Sequence, residues 1–429
     1  MPDQDKAVDP VCPPSPAGLH DSTTAPAPPR ISKVEFVCMM ATMMAIVAFS
    51  TDATLPAFPQ MAAALSPDAP NLVQLVVTFF LLGMGLGTIV TGPMSDHWGR
   101  KPVLLGGAAL YITGAVMCWA SGSLEVLLAG RILQGLGAAA TRAVTVAMVR
   151  DLYSGRQMAQ ITSFTMMVFT LFPAIAPTFG EAVIRIAGWR EIFLSLIVIA
   201  IVAAIWLSVR QGETLPPARR VPFRMGNILA GAKEILSMRV VRIMIFVQLA
   251  AFGTLFAMLS SIQQIFDISF DRASEFHLWF AGIAILSGSS GAINGMVVQR
   301  MGMRFMIALM LRLQIALSAL AILLIGSGML GVNAQFAVFV LYALGVFFQI
   351  GLLAGNATAL AMEPLGHRAG LAASVMGSIG TVGAVIIAIP IGAAFNGTPL
   401  PLMIGSLTLA SLSFIATRFL PGPDRETAA

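Results

Sequence analysis

Three charged residues stand inside long apolar runs: Asp52, Arg131 and Arg142. An ionisable side chain in lipid is expensive unless it is paired or wet. Asp52 is the only acidic residue deep within any helix predicted below, which makes it the chain's one good carboxylate carrier of a proton. A carboxyl group keeps its proton in apolar surroundings and releases it beside a guanidinium. Arg131 can supply that guanidinium. Arg142 follows eleven residues later, close to a whole number of helical turns. It therefore faces nearly the same way as Arg131, about 16 Å along the axis. Two readings are open. One is a static ion pair between helices. The other is a protonatable Asp52 coupled to Arg131, with Arg142 lining a water-filled route.

Other residues define softer chemistry. Gln74, Gln248, Gln349 and Asn356 are polar breaks in apolar runs and are candidate cavity residues, with Met43, Met44 and Phe169 as apolar walls. Methionine repacks easily around variable cargo. Pro173 and Pro177, with Gly180 just beyond, open a helix locally. Glu35 sits beside Lys33 at a helix end and can snorkel. Arg312 can snorkel or line the cavity. No metal-ligand cluster and no nucleophile arrangement is present, so no metal, no cofactor and no enzyme is expected.

These side chains need helices to hold them. The windows Asn71–Ser95, Leu313–Met362 and Ala369–Thr417 carry no formal charge. A bilayer core takes about 20 apolar residues per helix. Only 10% of the 429 residues are charged and 57% are hydrophobic, so the chain is a membrane protein. The net charge of +5 is spread along the chain and makes no nucleic-acid surface. Twelve spans are expected: Val34–Ala57, Leu72–Pro93, Pro102–Ala120, Val126–Val149, Met158–Val183 and Ile192–Val209. After a charged stretch come Val240–Phe266, Leu278–Val298, Phe305–Ile325, Phe336–Ala359, Ala369–Ala388 and Leu402–Phe419. We number them helix 1 to helix 12. Asp52 is then about five residues before the end of helix 1, and Arg131 about five after the start of helix 4. The two helices run in opposite directions, so the two charges share one depth.

The expected fold class is an all-α polytopic membrane protein of two six-helix, pseudo-symmetric halves. The halves cover 33–209 and 240–420, joined by a cytoplasmic linker at 210–239. Tails at 1–32 and 421–429 are too polar and proline-rich to pack. With the N-terminus inside, nineteen of the 25 basic residues fall in inner segments and three in outer ones. That positive-inside bias makes both termini cytoplasmic. The turns after helix 2 (Gly92–Lys101) and helix 8 (Asn294–Arg304) echo one another, and paired halves around a cavity are a transporter architecture.

Gly92-Pro93-Met94-Ser95-Asp96-His97-Trp98-Gly99-Arg100-Lys101-Pro102 resembles the loop 2–3 signature of the major facilitator superfamily. Arg131-Ile132-Leu133-Gln134-Gly135-Leu136-Gly137 resembles its helix 4 signature. Asp52–Pro59, Val149–Tyr153, Ala176-Pro177, Gly188–Phe193 and His367–Ser374 look like the bicyclomycin and chloramphenicol/florfenicol resistance branch of drug/proton antiporters. The resemblance runs from about Ser32 to Leu420. It implies that Asp52 carries the proton and Arg131 is its switching partner. It implies that Asp96, Arg100 and Arg150 form a charge cluster latching helices 2 and 4 against helix 11. Pro173, Pro177 and Gly180 would be the helix 5 antiporter signature, with its first Gly-Pro pair missing. Arg142 is unusual for that family and hints at an anionic or amphiphilic cargo.

The expected function is proton-coupled efflux of small, largely apolar compounds across a bacterial inner membrane by a monomer. The partners are a small-molecule substrate, protons and lipid. A same-fold transporter of a siderophore, sugar or amino-acid derivative, or a facilitator, is the alternative.

Overall fold

The computed structural model describes residues 31–153, 155–223, 225–363, 365 and 369–421. The expected tails lie almost wholly outside these residues, as do His367 and Arg368; the side chain of Phe169 is likewise outside the described set. Helix 1 is Lys33–Asp52, helix 2 Leu75–Trp98, helix 3 Arg100–Trp119, helix 4 Leu124–Leu152, helix 5 Gly155–Ile186 and helix 6 Arg190–Arg210. Helix 7 is Arg239–Gln264, helix 9 Met303–Gly326, helix 10 Val332–Met362, helix 11 Ala369–Ala393 and helix 12 Leu400–Thr417. Helix 8 comes in two segments, Phe276–Gly288 and Ser290–Met301. The sequence reading had it continuous; the Ser-Gly-Ser-Ser-Gly run at 287–291 is made of weak helix formers and breaks it. Eleven helical stretches among the described residues are long and apolar enough to cross a membrane, and the 32-residue helix 5 joins them in the bundle.

Local chemistry fixes the ends. Ser32 and Ser123 cap helices 1 and 4 through their hydroxyls. Helix 1 stops at Asp52, earlier than expected, because Pro56 has no N–H for the carbonyl of residue 52. The chain then passes through a single tight turn, Leu55–Ala57, into a short helix, Phe58–Leu65. Asp52 is thus the last residue of its helix and not five residues inside it. The 2–3 and 8–9 turns are single glycines, Gly99 at φ 103° and Gly302 at φ 78°. That left-handed region suits glycine alone. The linker is partly helical: Met225–Ser237 lies against helices 7 and 11 and buries Ile235.

We call the end bearing Gly99, Gly302 and the linker the basic end, and the other the far end. Between the halves, helix 2 lies along helix 11 and helix 5 along helix 8. At the far end one apolar cluster runs through both halves, from Met61 and Val73 to Phe266, Phe339 and Met403. Near the basic end the second half has a separate cluster, including Met244, Leu353 and Met376. The halves share an apolar cluster at the far end and not at the basic end.

Candidate functional site

Helix 4 holds both arginines, and glycines bring its neighbours onto its backbone. A Cβ on Gly83 would overlap the carbonyl oxygen of Ile132, and one on Gly135 would overlap that of Phe80. Helix 3 approaches as closely through Gly114 and Gly137. Such backbone contact is available only to small residues. Gly85 and Gly87 of helix 2 also sit in tight contacts, whereas Gly377, Gly380 and Gly383 of helix 11 meet only ordinary packing or open space. Close approach therefore holds at these glycines of helix 2 and not at these three of helix 11.

In that cage Arg131 is fully buried. Its Nε donates to the carbonyl of Val76 (2.9 Å), one terminal nitrogen to Oε1 of Gln134 (2.6 Å) and the other to the carbonyl of Ser50 (2.8 Å). The guanidinium lies 4.5 Å from the centroid of the Phe80 ring. Ser50 in turn shares a hydrogen bond of 2.5 Å with Tyr111. Every acceptor of Arg131 is neutral. Asp52 is 4% exposed and forms no ion pair with it. The shared depth is visible, since Arg131 reaches the residue two before Asp52. The static ion pair is not present. Helix 5 meets helix 1 at this point: a Cβ on Gly180 would overlap the carbonyl of Ala53, next to Asp52. Pro173 and Pro177 lie inside helix 5, and Pro177 is buried.

Arg142 differs from Arg131 in every respect. Its side chain is exposed and lies ten residues before the end of helix 4. Ionisable side chains at such depth face the bundle interior or a water-filled cavity rather than lipid. The third intramembrane arginine, Arg312, stacks over Phe414 of helix 12, with Arg418 also over that ring. It lies between helices 9 and 12.

The expected cavity residues divide. Gln74 is no cavity residue; it bridges the halves at the far end. Its amide donates to Gln264, and its Oε1 accepts from Ser261 (3.3 Å). Gln264 donates to the carbonyl of Pro70 (3.2 Å), Asn71 to that of Phe395 (3.2 Å), and Thr78 pairs with Ser260 (3.2 Å). Deeper in, Ser378 donates to the carbonyl of Gly85 (2.6 Å). Together with the fused apolar core, these bonds seal the far end. Asn356 is also committed, to Asn294 and the carbonyl of Leu352, both at 2.7 Å. A polar residue in an apolar run can serve a partner helix as well as a cavity, and here it does. Gln248 donates to Thr358 (3.3 Å) while its Oε1 is buried without a partner. Gln349, Met43 and Met44 are buried.

At the basic end Arg100 is 2% exposed and makes the cluster's contacts. It pairs with Asp96 (2.6 Å) and Asp151 (2.8 Å) and donates to Ser95 (2.7 Å). Arg150, expected in this cluster, is exposed; its neighbour Asp151 takes that place. Consecutive helix residues point about 100° apart, so a repulsive arginine turns outward and the carboxylate turns in. Among the described residues the cluster reaches the linker and not helix 11. Glu213 accepts from the backbone N–H of Arg100 (2.9 Å), Lys101 (3.1 Å), Thr214 (2.9 Å) and Leu215 (3.0 Å). Helix 3 has no cap of its own, so an anion from the linker serves its N-terminus. Sequence reasoning missed Glu213, which lies 113 positions from Arg100 in an irregular stretch. Glu35, expected to snorkel, instead receives a bidentate pair from Arg210 of helix 6 (2.6 and 2.8 Å).

Comparison with known proteins agrees with this architecture. The Major Facilitator Superfamily model matches residues 40–388. The chain is 30% identical over 391 residues to the MFS-type transporter YdgK of Bacillus subtilis, covering 86% of this chain and 94% of the relative. It is 29% identical to a chloramphenicol resistance protein of Pseudomonas aeruginosa, covering 89% of this chain and 90% of that one. A bicyclomycin resistance protein homolog of Haemophilus influenzae is 26% identical, with 90% and 96% covered. Among solved structures, a D-xylose-proton symporter aligns with a TM-score of 0.72 at 14% identity, over 91% of this chain and 98% of that chain. The last shares the fold.

Proposed function

The chain belongs to the Major Facilitator Superfamily, and from that premise we propose that it exports small, largely apolar compounds across a bacterial inner membrane in exchange for protons. Relatives named for chloramphenicol and bicyclomycin resistance support export of such compounds. The nineteen-to-three bias of basic residues supports a cytoplasmic basic end with both termini inside. The sealed far end then faces outward, which fits the inward-facing state of an alternating-access cycle.

The observation that carries the coupling is the pair of buried charges left apart. Arg131 is held by three neutral acceptors, so Asp52 is free to stay protonated beside it. Ser50, whose carbonyl holds one guanidinium nitrogen, is two residues before Asp52 on helix 1, about 3 Å of axial rise. A small swing of the guanidinium off Ser50 brings it to the carboxyl group, where it favours the anion and expels the proton. The pair is open in this structure, so proton release follows the swing and is not given by the helix positions alone. The break after Asp52 and the contact of Gly180 on Ala53 let helix 5 move this end of helix 1.

Purified protein in liposomes with an imposed pH gradient tests this. Wild type should accumulate a phenicol drug against its gradient with matching proton movement. Asp52→Asn should lose uphill transport by about 100-fold and keep binding, since a titratable site alone is lost. Uphill transport by Asp52→Asn, or purely downhill transport by wild type, overturns the coupling. In cells, a Pro217→Cys reporter should be labelled only from the cytoplasmic side; labelling from outside reverses the orientation.

A further inference from the structure

Among the three arginines inside the bundle, one lacks a partner. Arg131 is held by two carbonyls and Gln134. Arg312 shares an aromatic ring with Arg418. Arg142 has, among the described residues, no hydrogen bond, ion pair or ring contact, and no charged group acts on it. It lies ten residues before the end of helix 4, about 15 Å from the basic end. That depth is beyond a snorkelling side chain, which serves residues near helix ends. A structural arginine would have something to hold, and this one holds nothing.

Its surroundings supply no counter-charge. The buried charged residues of the described chain are Asp52, Arg100, Arg131 and Asp151. Asp151 is bound to Arg100, and Asp52 lies at the far-end terminus of helix 1. One turn beyond Arg142, the hydroxyl of Thr145 is buried without a partner, a second polar group on the same side of the helix. An unneutralised guanidinium between low-dielectric walls raises the local concentration of anions and repels cations.

We propose that Arg142 is the docking group for an anionic headgroup, so that the preferred cargo is an amphiphilic organic anion, an apolar body with one carboxylate, sulfonate or comparable group, with neutral apolar compounds bound more weakly. This rests on the transport reading and narrows its substrate class. The guanidinium binds such a group through charge-assisted hydrogen bonds, bidentate when the anion is planar. Cationic dyes are excluded by the same charge.

A matched series tests it: naphthalene-2-sulfonate, naphthalene-2-sulfonamide and 2-naphthylmethylammonium, which share one apolar body and differ in charge. Binding to the full chain in lipid nanodiscs is measured at uniform pH, with no gradient. Wild type should bind the sulfonate about tenfold more tightly than the sulfonamide, as expected for hydrogen bonds to a charged group. The ammonium should bind weakest. Arg142→Gln should erase the preference while leaving sulfonamide affinity within about twofold, and Arg142→Lys should keep most of it. Equal affinity for sulfonate and sulfonamide, absence of sulfonate binding, or an unchanged preference in Arg142→Gln overturns the proposal. The wild-type comparison stands even if a variant fails to fold. Because no pH gradient is used, failure here is separate from failure of proton coupling, which the liposome experiment reads.

Discussion

The two halves of the bundle share a turn and divide the chemistry. Gly99 and Gly302 each join two helices as a single left-handed residue. After Gly99, Arg100 is buried and tied to Asp96, Asp151 and Ser95. After Gly302, the next arginine, Arg304, donates to the carbonyl of Pro421, and Arg300 is exposed. Every buried charge among the described residues is in helices 1–4, whereas the second half buries glutamine, asparagine, serine and threonine. The glycines follow the same division. Gly83, Gly114, Gly135 and Gly137 of helices 2, 3 and 4 lie on a neighbour's backbone, while the tight glycines of the second half, Gly345, Gly351, Gly392 and Gly405, meet side chains first, and Gly282, Gly291, Gly295 and Gly355 have nothing within 4 Å. A buried charge needs its acceptors fixed, because a lost partner in low dielectric costs far more than a lost apolar contact. The first half is therefore the rigid charge-handling body. The second, among the described residues, buries only uncharged polar groups.

The strongest way to break this comparison is to put the same methyl group into both halves. Gly135→Ala forces a Cβ into the carbonyl of Phe80, and backbone cannot yield as a side chain can. It should cost roughly 3 kcal/mol or more and free Arg131 from its cage. Gly295→Ala faces open space and should stay within about 1 kcal/mol of wild type, on the stabilising side. Thermal unfolding in detergent reads both. Equal effects would show that the close packing of the first half has no special weight.

Where the halves meet, the seal sets how easily they part. A hydrogen bond between membrane helices is worth about 0.6 kcal/mol. The double variant Gln74→Ala, Gln264→Ala removes the Gln74–Gln264 bond, the Ser261 bond and the Pro70 bond. The ratio of far-end-closed to far-end-open protein should then fall by about twentyfold. Spin labels at Asp68 and Asn396 should report a longer mean distance. An unmoved distance would assign the seal to the apolar cluster alone.

Much of this was legible in the sequence, and the remainder has physical causes. Apolar length gave the twelve helices, and axial rise gave the common depth of Asp52 and Arg131. Composition could not separate Gln74 and Asn356, which bind partner helices, from Gln248, which keeps a free acceptor. A polar side chain satisfies itself on whatever lies opposite, and that is set by tertiary packing. The choice of Asp151 over Arg150 turns on one residue of helical phase, finer than a boundary read from apolar runs. Glu213 carried no periodicity at all, being in a loop.

That loop residue offers the smallest effect and the cleanest contrast between the halves. Helix 3 begins after Gly99 and is capped from the linker by Glu213; helix 9 begins after Gly302 with no side-chain cap. Four N–H groups converge on one carboxylate, two of them at the positive end of helix 3. Glu213→Gln keeps the shape and loses the charge, which should cost about 0.5 kcal/mol; Glu213→Ala loses the acceptors too and should cost about 1 kcal/mol. Neither touches Asp52, so proton-coupled transport should stay within about twofold. What should change is the linker. The exposed Arg219 and Arg220 follow the cap closely, and limited trypsin digestion at these sites should quicken in Glu213→Ala and less in Glu213→Gln. If cleavage is unchanged in both, the carboxylate is a passenger. The linker is then held by its other ties, the bond from Val221 N–H to the Asp96 carbonyl (3.0 Å) and the packing of Ile235.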